Sequence, residues 1–213
     1  MLNLTEIFAS VQGESRLSGL PTTFVRLAAC NLRCSWCDTP YSFGRGTATP
    51  LEAVVRKVEQ NGCPYVCITG GEPLLQENVH SLMKRLCDLG YRLSLETGGS
   101  LSIEKVDPRV SVILDIKCPG SGMAHKNRLE NLALLKPIDE VKFVLKERSD
   151  YDWAKALCEE KELFSRKPEV LFSPVHGILN PQELVGWILE DKIPVRLNLQ
   201  IHKFIWSPET KGV

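Results

Sequence analysis

Short apolar runs alternate along this chain with stretches of helical period, and most runs end in glycine or charged residues. Leu4 to Phe8 reads as an extended segment and Thr23 to Leu27 as a strand. Leu51, Val54, Val55 and Val58 share one helical face. That helix opens with Thr49 as N-cap, Pro50 at N1 and Glu52 completing a capping box, and closes at Asn61-Gly62. Tyr65 to Thr69 is a buried strand, and Val79, Leu82, Met83 and Leu86 form the next helix face, which stops at Gly90. Strands follow at Tyr91 to Leu95 and Val110 to Leu114, then a helix over Asn127 to Leu135 and a strand at Val141 to Leu145. A helix capped at Ser149, with Asp152 at N3, leads to a strand at Val170 to Phe172. Asn180-Pro181-Gln182-Glu183 opens the last helix, and Val195 to Ile205 is a terminal strand. No fixed-period repeat or low-complexity linker interrupts the series.

Alternation of this kind implies parallel strands joined by helical crossovers. Polar residues gather where strands end, at Gly70-Gly71-Glu72-Pro73, Glu96-Thr97-Gly98-Gly99, Asp115-Ile116-Lys117 and Ser173-Pro174-Val175-His176. Such placement puts a site on the carboxyl rim of an α/β barrel or open sheet. A complete eightfold barrel takes about 250 residues, and this chain has 213. The expectation is therefore a partial, open TIM-like α/β barrel of about six parallel strands in a single domain, residues 1–213. Some crossover helices are shortened or missing, since Ser100 to Pro108 leaves little room for one. An open barrel leaves a lateral gap that a second subunit can cover.

The candidate chemistry lies in Cys30-Asn31-Leu32-Arg33-Cys34-Ser35-Trp36-Cys37-Asp38-Thr39, a loop after the strand that ends at Leu27. A closed zinc site wants four ligands, usually as two separated Cys-x2-Cys pairs. Three close thiols suit a [4Fe–4S] cube, each holding one iron and leaving the fourth corner free. The blander readings are three structural cysteines or a zinc knuckle with a distant fourth ligand. All eight cysteines read as reduced: no secretory signal precedes them, so a cytoplasmic location fits better than a disulfide framework. Cys63, Cys67, Cys87, Cys118 and Cys158 read as small buried residues, with Cys118 nearest the site. Lys plus Arg and Asp plus Glu both total 26, for a formal net charge of zero. With no basic stripe, neither nucleic acid nor an anionic membrane is expected as a partner.

Arg26 interrupts an apolar strand, so its guanidinium is either in a structural ion pair or aimed at a substrate carboxylate. Gln12-Gly13-Glu14 is either a solvated turn or part of the same pocket. In the terminal strand Val195, Leu197, Leu199 and Ile201 alternate with Arg196, Asn198, Gln200 and His202. The polar face is either solvated, as on an edge strand, or lines the pocket, where Arg196, Gln200 and His202 suit a polar heterocycle.

The Cys-x3-Cys-x2-Cys loop, followed about thirty residues later by Gly-Gly-Glu-Pro at a strand end, resembles the signatures of the radical S-adenosylmethionine (SAM) superfamily. Further matches at Ser10 to Glu14, Gly19-x-Pro21-x-x-Phe24-Val25-Arg26, Glu96-Thr97-x-Gly99 and Gln200-x-His202-Lys203 make the chain similar, nearly end to end, to the 7-carboxy-7-deazaguanine synthases. The resemblance implies a lyase of queuosine and 7-deazapurine biosynthesis. It would contract 6-carboxy-5,6,7,8-tetrahydropterin to 7-carboxy-7-deazaguanine with loss of ammonia, using a [4Fe–4S] cluster, SAM and Mg²⁺. It also implies a homodimer and an electron donor such as flavodoxin or ferredoxin. By the same resemblance Cys30, Cys34 and Cys37 hold the cluster and Thr39 binds Mg²⁺. Trp36, Asp38, Gly71, Glu72, Gly99, Asp115, Ile116, Lys117 and Ser173, Pro174, Val175 and His176 lie along SAM, with Glu72 pairing its ammonium. Gln12, Gly13, Glu14, Arg26, Thr97, Gln200 and His202 contact the pterin. Where many relatives read Ser-Pro-Lys, this chain has Asp115-Ile116-Lys117, so only Lys117 matches by type. The competing readings are an activase of a glycyl-radical enzyme, which shares the cluster loop, and a non-catalytic metal-binding module.

Overall fold

In the computed structural model, which describes residues 1–165 and 168–213, the chain opens with an antiparallel pair, β1 (Leu2–Val11) and β2 (Pro21–Leu27). A short strand β3 (Thr47–Thr49) adds antiparallel to the other edge of β1. From β2 the sheet continues in parallel through β4 (Tyr65–Gly70), β5 (Arg92–Thr97), β6 (Ser111–Ile116), β7 (Glu140–Leu145), β8 (Glu169–Pro174) and β9 (Arg196–Leu197). Among the described residues the nine strands run β3-β1-β2-β4-β5-β6-β7-β8-β9 and do not close. This is the expected open barrel, with seven strands in the parallel series from β2 to β9.

Period-two alternation sorts the two faces of the parallel strands. Val25, Leu27, Val66, Ile68, Leu93, Leu95, Val112, Leu114, Val141, Phe143, Val170 and Phe172 are all buried in one core. They pack against the apolar faces of α1 (Leu51–Asn61), α2 (Asn78–Asp88), α3 (Arg148–Glu160) and α4 (Pro181–Asp191). Burying each such side chain contributes about 1.5–3 kcal/mol. The alternate positions include Arg26, Thr69, Glu96, Asp115, Lys142 and Ser173, which line a cavity on the concave face.

Several local expectations are corrected. Thr49 does not cap α1: it ends β3, its hydroxyl donates to the Thr47 carbonyl, and Pro50 stands at the N-cap in extended conformation. Ser149 does not cap α3, whose N-cap is Glu147. Asn180 does cap α4, accepting from the Gln182 amide at 2.9 Å. Between Asn127 and Leu135 there is a 3-10 turn, Leu129–Leu134, in place of an α-helix. Asn127 is drawn off to Lys117, accepting from its amide and donating to its carbonyl, both at 2.9 Å. The terminal strand stops at Leu197, and the chain turns through Asn198 into the single-turn helix α5 (His202–Ile205). That turn carries Gln200 and His202 over the cavity mouth. Arg196 is left outside, where it pairs with Glu169 at 2.7 Å.

Candidate active site

The cysteine loop leaves the carboxyl end of β2 and is fixed from below by backbone. Gly71 donates to the Leu27 carbonyl and Glu72 to that of Ala29, at 3.1 and 2.9 Å. A Cβ on Gly71 would come within 2.7 Å of the Cys30 Cβ, so only glycine lets this strand end lie against the loop. From the side, Ser35 donates its amide to the Ser121 carbonyl (3.1 Å) and its hydroxyl to that of Gly120 (2.9 Å). Asp150 at the start of α3 accepts from the Gly120 and Lys146 amides, at 2.8 and 3.0 Å.

Cys30, Cys34 and Cys37 are free thiols, half-buried on the wall of a cavity of about 480 Å³. Burial pushes the Cys30 and Cys34 thiols up, and the ammonium of Lys117 works the other way. Among the described residues no group of His, Cys, Asp and Glu side chains gathers as a single-ion site would require. Thiols spread along one loop fit the corners of an iron–sulfur cube, one thiolate to each iron. The donor set therefore fits such a cluster, with the cavity before it left for a ligand. The Thr39 hydroxyl lies 3.9 Å from the Cys37 sulfur on the same wall.

Across the cavity stands a polar group drawn from distant parts of the chain. Glu14 accepts from Lys142 Nζ at 2.9 Å, Gln200 Nε2 at 2.8 Å and Asn198 Nδ2 at 3.3 Å. Burial alone would raise its pKa, but Lys142 and Gln200 outweigh that and the carboxyl is held below its ordinary value. Gln12 accepts from the Glu14 amide through Oε1, while its buried Nε2 has no partner. Arg26 gives its Nε to Glu6 at 2.7 Å and lies 5.8 Å from the centroid of the Phe8 ring, so both the ion pair and a place on the cavity wall are realised. Gly13 makes room for His202, whose Nδ1 would overlap a Cβ there and whose Cγ would lie 2.8 Å from it, and accepts from the Ile201 amide at 3.0 Å. Burial holds His202 below the ordinary imidazole value against the charges of Glu14 and Asp38.

Of the residues singled out in the sequence, Trp36, Asp38, Thr97, Asp115, Lys117 and the run Ser173, Pro174, Val175 and His176 also reach the cavity. Glu72, Gly99 and Ile116 do not line it. Glu72 is fully buried, and its carboxylate accepts from Leu74 N, Thr97 Oγ1 and Gly98 N at 2.8–3.0 Å. It thus ties the β4 and β5 strand ends together behind the wall, instead of presenting its oxygens to the cavity. Ile116 faces the core, and Gly99 supplies a left-handed turn (φ +70°). Lys142 and Thr69 line the cavity without being singled out in the sequence, whereas Glu96, on the wall, and Asn198, on Glu14, stand in patterns named there but without an assigned role. Lys142 and Glu96 carry the signal already seen at Arg26, a charge inside an apolar strand. The contacts of Asn198 depend on a chain turn that the sequence does not announce.

Residues 25–109 match the Radical SAM superfamily. Fold, cysteine loop and match together define a radical SAM enzyme, a class that works with a [4Fe–4S] cluster, SAM and a reductant. The chain is 45% identical to the 7-carboxy-7-deazaguanine synthase of Koribacter versatilis, over 100% of both chains. It is also 45% identical to that of Chlorobaculum tepidum, over 100% of this chain and 97% of the relative. The crystal structure of QueE from Escherichia coli shares the fold, with a TM-score of 0.75 at 21% identity over 93% of each chain. The chain belongs to the 7-carboxy-7-deazaguanine synthase family.

Proposed function

We propose that this enzyme converts 6-carboxy-5,6,7,8-tetrahydropterin to 7-carboxy-7-deazaguanine and ammonia. The observation that carries the reading is the polar group opposite the cysteine loop: an unpartnered Gln12 amide donor, the Glu14 carboxylate and the Arg26 guanidinium. A pterin needs an acceptor for its amino group and ring N–H, a donor for its carbonyl and a cation for its carboxylate. Glu14, Gln12 and Arg26 supply these in turn. When bound at Cys30, Cys34 and Cys37, the reduced cluster with SAM supplies the radical chemistry that opens the reaction. The protein holds the two ligands in one cavity, its floor formed by Phe8, Phe24 and Ile113 and its rim by the turn carrying Gln200 and His202. Trp36, Asp38, Lys117 and the segment from Ser173 to His176 line the SAM side of that cavity in this reading.

Thr39 offers an oxygen ligand for Mg²⁺, which favours oxygen donors and retained waters. The enzyme takes its electron from a donor such as flavodoxin or ferredoxin, acts as a homodimer in the cytoplasm, and serves queuosine or 7-deazapurine biosynthesis. Among the described residues no helix is long and apolar enough to cross a membrane. The test is anaerobic reconstitution followed by incubation with reductant, SAM, Mg²⁺ and the carboxypterin, read by product mass spectrum. The expected result is 7-carboxy-7-deazaguanine, absent with Cys34→Ala. Cleavage of SAM with the pterin unchanged would overturn the substrate assignment and leave the superfamily assignment standing.

A further inference from the structure

We propose that Lys142 is a positioning residue for the substrate, holding Glu14 ionised and aimed into the cavity and so setting the affinity for the pterin. The inference rests on the substrate reading above and adds to it a residue that none of the sequence motifs contains. Lys142 lies on β7, directly across the parallel ladder from Asp115 on β6. Only 9% of it is exposed. Its ammonium stands 2.9 Å from Glu14 Oε2 and 3.3 Å from Asp115 Oδ2. Asp115 has a second cation, Lys117, at 3.0 Å. Glu14 has no second one within ion-pair distance among the described residues: its other donors are the neutral amides of Gln200 and Asn198.

That asymmetry decides what Lys142 does. A half-buried carboxylate with only neutral donors is pulled toward its protonated form. A protonated Glu14 presents a hydroxyl donor where the amino group and ring N–H of an aminopyrimidinone need an acceptor. Around Lys142 the charged groups are Glu14 from the β1–β2 turn, Glu96 from β5, Asp115 from β6 and Lys117 just past the end of β6. From the cluster loop and α5 come Asp38, Lys203 and the titratable His202. Burial works against the charge on Lys142, and Glu14, Asp115 and Glu96 outweigh it, so the lysine stays charged well above its ordinary range. It is therefore a poor proton donor and a good fixed counter-ion. Removing it leaves Lys117 beside Asp115 and strips Glu14 of its cation.

The experiment compares reconstituted wild type, Lys142→Met and Lys142→Arg, measuring kcat and KM for the carboxypterin between about pH 6 and 9. It also follows the Glu14 carboxyl by carbon-13 NMR of glutamate-labelled protein, assigned with Glu14→Gln. Lys142→Met is expected to raise KM about tenfold for each pKa unit by which Glu14 moves above the assay pH. The defect should fade as pH rises, kcat should change less than KM, and Lys142→Arg should recover most of the affinity. The Glu14 carbon should titrate at higher pH in Lys142→Met than in wild type. A KM defect equal at every pH, or an unmoved Glu14 titration, would overturn the proposal and leave Lys142 a structural residue. The NMR titration needs no turnover, so it reads the role of Lys142 even if the pterin is not the substrate. Should Lys142→Met fail to fold, Lys142→Gln in the same titration carries the same expectation. Failure of wild type to transform the pterin, with the Glu14 titration shifted as expected, would sink the substrate reading alone.

Discussion

Glu72 loses all contact with water, and the donors it meets belong to its own turn and to the neighbouring strand end. Replacing it with Gln keeps the size but puts an amide N–H₂ against a donor, leaving at least one buried group unpaired. That should cost about 1–3 kcal/mol, measured as a lower urea midpoint in the metal-free protein. Gly13→Ala acts on the cavity instead. Its Cβ would fall 2.8 Å from His202 Cγ, so the ring must move. KM for the pterin should rise about tenfold, equivalent to ~1.4 kcal/mol, with the urea midpoint little changed. Asp38 gives a pH test. Its side chain is about half exposed, 48%, yet Lys203 at 2.8 Å and Gln200 at 3.1 Å outweigh the desolvation from the surrounding cavity wall and hold it at about 2, a contact that solvent partly screens. Unfolded Asp titrates near ~3.9. The stability from this contact is therefore full above about pH 4 and fades as pH falls toward 2. Asp38→Asn should remove that acid-side component from the pH dependence of the urea midpoint.

The same residues show how far the sequence could be read. The cysteine spacing and the Gly70-Gly71 turn declare themselves, because their chemistry lies in residue type and local order. Glu72 does not: a carboxylate after two glycines looks free to pair with a ligand, and only the fold reveals that Thr97 and Gly98 occupy it. Lys142 was legible by the rule applied to Arg26, a charge inside an apolar strand. Its partner Glu14 lies 128 residues away, and only the sheet brings them together.

Among the elements, α3 reaches furthest from its own place in the chain. Asp150 holds Gly120, and Gly120 with Ser121 holds Ser35, between the second and third thiols of the cysteine loop. Asp150→Ala leaves two backbone N–H groups without their acceptor and should cost about 1–3 kcal/mol for each that stays unpaired. Iron release from the reconstituted protein to a chelator should then quicken, and Ser35→Ala should show a milder form of the same defect. Unchanged iron release in both variants would mean that this buttress does not support the loop. Apolar period placed α1 and α2, but the helix read over Asn127 to Leu135 is a 3-10 turn, and two of the three caps read from sequence were wrong. At Thr49 strand pairing took the residue first, and at Ser149 the backbone of Glu147 began the helix. The last strand failed for a related reason. Its alternation was real, but pairing with β8 ends at Leu197 and the chain turns across the cavity mouth.

At the scale of the whole molecule, the parallel series gives one apolar face to the helices and one polar face to a cavity bordered by three thiols. The sheet does not close, and its edges are β3 and β9. The homodimer proposed here should appear in sedimentation equilibrium as twice the 23.9 kDa chain mass. In the proposed reaction one nitrogen leaves the pterin as its ring contracts. The most direct measurement is the balance of 7-carboxy-7-deazaguanine against ammonia in a single anaerobic reaction of the reconstituted enzyme with SAM and the carboxypterin. The two products should form in equal amounts, rising together with pterin consumed and lost together in Cys34→Ala. Pterin left intact while SAM is cleaved, or product without matching ammonia, would contradict that reaction.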